Sequence, residues 1–199
     1  MQPFILKEKP QQKDLIPTGS YPARIYSMIT LGTHKSTFKG VEKESAKIRI
    51  TFELPTELKV FNPEKGEQPR VISQEYSLSL FEKANFRKLL DSCGVKGTID
   101  GDGFLSLNIW DLLGKTCILS ITETETPRGT FNTIESIAQP MKGMPIPDQI
   151  NPTVVYNVSD HDRDVFSKLP EFIQDKIKLS PEFSSTSDVP VEHTFDDFV

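Results

Sequence analysis

The sequence predicts a mainly β protein. The expected fold is a five-stranded barrel with one helix between its third and fourth strands, followed by a short helical segment and an acidic tail. Three observations point there. Five stretches alternate apolar and polar residues with period two, as half-buried strands do. The stretch between the third and fourth switches to helical spacing. Beyond residue 139, prolines and then acidic residues replace the alternation.

The first strand spans Gly19–Gly32. Successive strand side chains point to opposite faces. Strict alternation therefore puts Tyr21, Ala23, Ile25, Ile29 and Leu31 on a buried side, with Arg24, Tyr26 and Met28 opposite. The second strand, Ser45–Leu54, sets Ile48, Ile50, Phe52 and Leu54 against Lys47, Arg49 and Thr51, and Pro55 ends it for lack of an amide hydrogen. Between them, Gly32–Glu44 is a polar connection carrying His34, Lys35, Phe38, Lys39 and Lys43. It is long for a hairpin and thus a candidate binding loop.

Phe61–Pro69 is a loop by its Asn-Pro and Lys-Gly pairs. The third strand, Val71–Leu80, places Tyr76, Leu78 and Leu80 on the core side and Ser73, Glu75, Ser77 and Ser79 outside. Ala84, Phe86, Leu89 and Leu90 give a helix over Glu82–Asp91, stopped by Cys93-Gly94. Asn108–Gly114 is a helical turn closed by glycine, with Trp110 packing a barrel end among Ile109, Leu112 and Leu113. Lys115–Thr122 is the fourth strand. After a turn at Thr126–Gly129, Thr130–Ala138 is the fifth, with Ile134 and Ala138 facing away from Phe131 and Ile137. Strand, strand, strand, helix, strand, strand is the order of the oligonucleotide/oligosaccharide-binding (OB) barrel.

The chain divides into an N-terminal arm (1–18), the barrel (19–139), a proline-rich linker (140–159), a helical segment (160–180) and a disordered acidic tail (181–199). A short amphipathic helix over Pro170–Leu179 cannot bury its apolar face alone and must dock on the barrel or on a partner. The net charge of −5 hides an asymmetry. Residues 1–140 hold 18 Lys and Arg against 17 Asp and Glu, whereas residues 141–199 hold 5 against 11. A near-neutral body carrying a negative tail suggests separate jobs for the two. No apolar run is long enough to span a membrane and no secretion leader is read, so a cytoplasmic protein is expected. Cys93 and Cys117 lack metal-site spacing and are expected in or near the core.

A groove for a single nucleic-acid strand needs cations along the phosphates and π-faces for the bases. Arg24, Tyr26, Lys47 and Arg49 meet that need from adjacent strands. Lys35, Phe38 and Lys39 add to it from the first connection. Lys83 and Arg87 form an i,i+4 basic pair at the helix, and Arg128 and Phe131 flank the last hairpin. In the tail, Phe195 and Phe198 suit apolar pockets of a partner while Asp196 and Asp197 suit its basic rim. Catalysis is not expected. His34, His161 and His193 are scattered and no glycine-rich phosphate loop is present. Asp160, Asp162 and Asp164 read as helix-start acids, since the glycine and distal glutamate of a calcium loop are missing. Neither cofactor nor metal is expected. The competing reading is a protein-interaction scaffold whose basic face meets an acidic partner.

Several runs carry a resemblance: Tyr21-Pro22-Ala23-Arg24, Ile50-Thr51-Phe52-Glu53-Leu54-Pro55, Leu112-Leu113-Gly114-Lys115, Leu169-Pro170-Glu171-Phe172-Ile173 and, most specifically, Ser79-Leu80-Phe81-Glu82-Lys83-Ala84. Over Gly19 to Pro181 the chain resembles single-stranded DNA-binding proteins of tailed bacteriophages. The resemblance implies an OB-fold that coats single strands during phage DNA replication or recombination. It also implies an acidic tail that recruits replication proteins. Such tails commonly close on a terminal Phe; here Val199 follows Phe198, a departure from that pattern.

Overall fold

Two long strands carry the architecture. In the computed structural model, which describes residues 14–38, 40–127 and 129–187, β1 (Gly19–Phe38) and β2 (Val41–Asn62) pair antiparallel. β3 (Gly66–Ser77) pairs with β2. Then follow α1 (Asn85–Ser92), a small hairpin of β4 (Thr98–Ile99) and β5 (Leu105–Ser106), and a 3-10 turn at Ile109–Leu112. β6 (Thr116–Thr126) and β7 (Gly129–Ala138) complete an antiparallel order β3-β2-β1-β6-β7. β8 (Val154–Tyr156) joins as a sixth strand, parallel to β1 at Ser27–Ile29, just beyond the point where β6 leaves that edge. α2 (Arg163–Lys168), α3 (Glu171–Lys178) and α4 (Pro181–Ser187) follow.

The sheet is open between β3 and β7, which share no ladder among the described residues. Two elements span the gap. At one end α1 packs on both edge strands with Phe86, Leu89 and Leu90 buried. At the other, the Ile16 amide donates to the Asn132 side chain on β7 and the Asn132 amide group donates back to the Ile16 carbonyl, each at 2.7 Å. Next to it the Asp14 carboxylate holds Lys59 of β2 and Arg70 of β3.

Strict alternation along β1 is broken. Ile25 pairs with Phe52 but Ser27 pairs with Thr51, so Tyr26 is an extra residue, a bulge. A one-residue slip exchanges the faces of the side chains beyond it, here as far as a second register shift between Thr30 and Gly32. Ala23 and Ile25 before the bulge, and Met28 after it, therefore share the main core with Ile48, Ile50, Phe52 and Leu54. Met28 does not face outward with Arg24, and Ile29 and Leu31 do not face inward. Those two point to the other side of the sheet, into a second core with Tyr156, Val158, Leu169, Ile173 and Ile177. A register shift between Ser120 and Ile121 likewise lets Ile134 and Ile137 of β7 both pack on the main core, against the expected opposition.

Other expectations are corrected in the same way. Gly32–Glu44 is not a loop. β1 and β2 stay paired out to Phe38 and Val41 as a projecting two-stranded arm. Pro55 does not end β2, because it falls in an unpaired step between Leu54 and Leu58, where a proline costs no ladder bond. The serine-rich stretch after Ser180 carries α4. Residues 140–187 run over the outer face of the sheet and supply most of the second core. Tyr76, Cys93 and Cys117 are buried as expected, and a hydrogen bond to Cys93 together with burial pushes the Cys117 thiol up.

The C-terminal segment comes very close to β1 at Gly32. A Cβ on Gly32 would lie 2.3 Å from the Ser180 Cβ, and φ here is +78°. No other residue type fits. Ile177 is fully buried beneath this junction. Ile177→Ala is expected to cost about 2–5 kcal/mol, read as a lower urea midpoint in equilibrium unfolding.

Candidate functional site

The outer face of β1–β2–β3 collects the side chains that β-pairing places opposite the main core: Arg24 with Glu53, Ser27 with Thr51 and Ser73, Ile29 with Arg49 and Glu75, and Lys47 with Ser77. Much of it is engaged by the chain itself. Arg24 donates to the carbonyls of Gly114 at 3.1 Å and Pro147 at 3.0 Å. Its Nε is buried without a partner among the described residues. Glu53 is fully buried, and its carboxylate accepts from the Ile150 and Asn151 amides and from the Asn151 side chain at 2.8–2.9 Å. A buried carboxylate has to be satisfied in this way. Tyr26 is half-buried beside it, and burial, with Glu53 nearby, pushes its phenol up.

Arg49 sits 3.7 Å from the Glu75 carboxylate and 5.4 Å from the centre of the Phe172 ring. Lys176, one helical turn after Phe172, also pairs with Glu75. On the arm, exposed Lys35 meets Glu44 at 3.4 Å, a pair worth little in solvent. Arg87 pairs with Asp91 along α1. Lys83 lies in the turn before that helix, which starts at Asn85, so the expected helical Lys83–Arg87 stripe does not form. Phe131 is half-buried on β7. The Phe38 side chain, Lys39, Arg128 and the tail residues Phe195, Asp196, Asp197 and Phe198 lie outside the described residues.

Lys47 differs from these cations. Among the described residues it has neither an ion pair nor a hydrogen bond. It lines a groove of about 250 Å³ at the foot of the arm, together with Trp110, Leu78, Gly32, Asn157 and Glu182. Trp110 is the residue that sequence reasoning assigned to packing alone. It does pack partly on the main core, yet it also borders this groove. The 3-10 turn holds it there, where the Asn108 side chain accepts from the Trp110 amide at 3.2 Å. No signal near Lys47 in sequence could have brought Trp110 to it.

The structure thus gathers Arg24, Tyr26 and Arg49 beneath the C-terminal segment and puts Lys47 with Trp110 in an open groove. Lys35 stands on the arm. Arg87 and Phe131 lie on other elements. Among the described residues, no group of three His, Cys, Asp or Glu side chains is placed to hold a metal. Asp162 caps α2 through the Asp164 and Val165 amides, the helix-start role read from sequence. No helix among the described residues is long and apolar enough to cross a membrane. Compared with protein-family models and with curated proteins, the chain matches none.

Glu182 closes one side of the groove by accepting from the Thr33 amide at 2.9 Å and from the Thr33 hydroxyl. Burial alone pushes this carboxyl up, but the Thr33 hydrogen bonds outweigh it and hold the group below its ordinary 4.5. The contact therefore contributes fully above that ordinary value and is lost as pH falls through the lowered one. In an NMR titration, the Thr33 amide resonance is expected to move with a midpoint below 4.5, and Glu182→Gln is expected to abolish that transition.

Proposed function

We propose that this protein binds single-stranded DNA without strong sequence preference and coats it during phage DNA replication or recombination. The reading is carried by one observation: Lys47, free of any partner among the described residues, shares an open groove with Trp110 at the foot of a projecting arm. An unneutralised cation beside an aromatic face is what a phosphate and an unstacked base require. The strand order β3-β2-β1-β6-β7, with α1 across the open edge, supports reading the sheet as an OB barrel left open between β3 and β7. The arm corresponds to the first connection that OB barrels use for ligands. In this reading Lys35 extends the track along the arm and Phe131 serves the last hairpin, with Lys39 and Arg128 as further cations assigned from sequence alone. The acidic tail, through Phe195, Asp196, Asp197 and Phe198, recruits replication proteins.

A second reading, a protein-interaction scaffold, draws on a different observation. Arg24 and Arg49 on the outer face, Lys35 on the arm and Arg87 on α1 already have partners within the chain, so these cations offer little free charge to a phosphate backbone.

Trp110 is the only tryptophan, so its fluorescence reports on the groove. Oligo-dT is expected to quench it saturably at low salt, with affinity falling as salt rises. Lys47→Ala is expected to weaken binding and to reduce the slope of log affinity against log salt by about 0.7. Binding indifferent to salt, or no binding at low salt alongside a stoichiometric protein partner recovered from nuclease-treated lysate, would favour the scaffold.

A further inference from the structure

We infer that Phe172, on α3 and outside the barrel strands, is a base-stacking anchor for the same single strand. The inference rests on the nucleic-acid reading above and names a subsite of it. Phe172 is 60% exposed, about 100° around α3 from the buried Ile173, so the helix turns this ring away from the second core. It is held in place from beneath. The Arg49 guanidinium lies 5.4 Å from its ring centre, and Arg49 is itself fixed by Glu75, which also takes Lys176 from the next turn of α3. A ring presented to solvent with a guanidinium over one face keeps its other face for a base, and the cation–π contact holds the ring in place.

Position supports the same occupant. Arg49 and Lys47 are two residues apart on β2, on one face, in an unbroken register with Glu75 and Ser77 of β3. That step is about 7 Å along a strand. A base on Phe172 and a phosphate at Lys47 would therefore belong to neighbouring nucleotides of one extended strand that continues into the Trp110 groove. The local charge allows it: Arg49 and Lys176 share the single carboxylate of Glu75, which leaves one positive charge in excess, while Lys47 is balanced by Glu182 in the same groove.

The test compares Phe172→Ala and Phe172→Tyr with the unaltered protein. The anisotropy of an end-labelled strand is the readout, alongside Trp110 fluorescence for oligo-dT, and the ligands are oligo-dT and an abasic oligonucleotide of the same length. Phe172→Ala is expected to weaken oligo-dT binding about tenfold, within the range of one lost base stack. Phe172→Tyr is expected to stay within about twofold, since it keeps the π-face. The salt slope is expected to stay unchanged, because no phosphate contact is removed. On the abasic strand Phe172→Ala and the unaltered protein are expected to bind alike. Unchanged oligo-dT affinity in Phe172→Ala would overturn the inference and leave the nucleic-acid reading standing. Equal losses on both ligands would assign Phe172 a structural role and also overturn it. Failure of the unaltered protein to bind oligo-dT would remove the parent reading and the subsite together.

Discussion

The extra residue at Tyr26 governs the rest of the molecule. Without the bulge, β1 would present one apolar face and one polar face, and the sheet could stand alone. With it, Ile29 and Leu31 emerge on the outer side, and an apolar pair there has to be covered. Residues 140–187 are the cover. They are fixed by contacts that only this geometry allows: β8 on the edge of β1 that β6 vacates, the Glu53 carboxylate under the Ile150 and Asn151 amides, and Ser180 against the bare Cα of Gly32. The Thr30 hydroxyl adds a further tie by accepting from the Val158 amide at 2.7 Å.

What the sequence made legible is what depends on local pattern. The strands, α1 and the turn at Thr126–Gly129 rest on period, glycine and proline, and these signals are carried by neighbouring residues. Tyr76 was assigned to the core by its face-mates Leu78 and Leu80, and the unbroken stretch around it kept that inference valid. The failures have a common cause. A bulge leaves no mark in composition, so the facing of Met28, Ile29, Leu31 and Ile134 was read from an alternation that the backbone interrupts. The arm was missed for a related reason: with Phe38 and Val41 the only large apolar residues from Thr33 to Ser45, there is no alternation to read, yet the backbone ladder still forms. Pro55 looked like a terminus because an unpaired step inside a strand cannot be seen until its partner is known.

The candidate site was legible in residue type and not in availability. Counting Lys and Arg on one face of β2 found Lys47 and Arg49 correctly as neighbours. It could not show that Glu75, a strand away, and Phe172, more than a hundred residues on, would engage one and leave the other free. Charge in a folded chain is decided by partners that are remote in sequence. For the same reason the two aromatic groups of the proposed site, Trp110 and Phe172, were not joined to the cations. Each arrives on an element whose placement follows from packing elsewhere, the 3-10 turn at the end of the main core and α3 on the second core.

A covered outer face bears directly on how a strand would bind. Uncovering Arg24 and Tyr26 means peeling away the C-terminal segment and exposing Tyr156, Val158, Leu169, Ile173 and Ile177. Burial of each such side chain is worth roughly 1.5–3 kcal/mol, so the total is on the order of 10 kcal/mol even after discounting for residual burial in the unfolded segment. A stacked base returns about 1–3 kcal/mol. Displacement would consume several nucleotides' worth of binding before any net affinity appeared. Binding on top of the segment avoids that cost, because the groove beside Lys47 and the ring of Phe172 are open with the segment in place. Under the nucleic-acid proposal the segment would then be part of the binding surface. Arg24 serves it as a clamp on the Gly114 and Pro147 carbonyls, and under that proposal contact would fall to residues that the clamp leaves exposed.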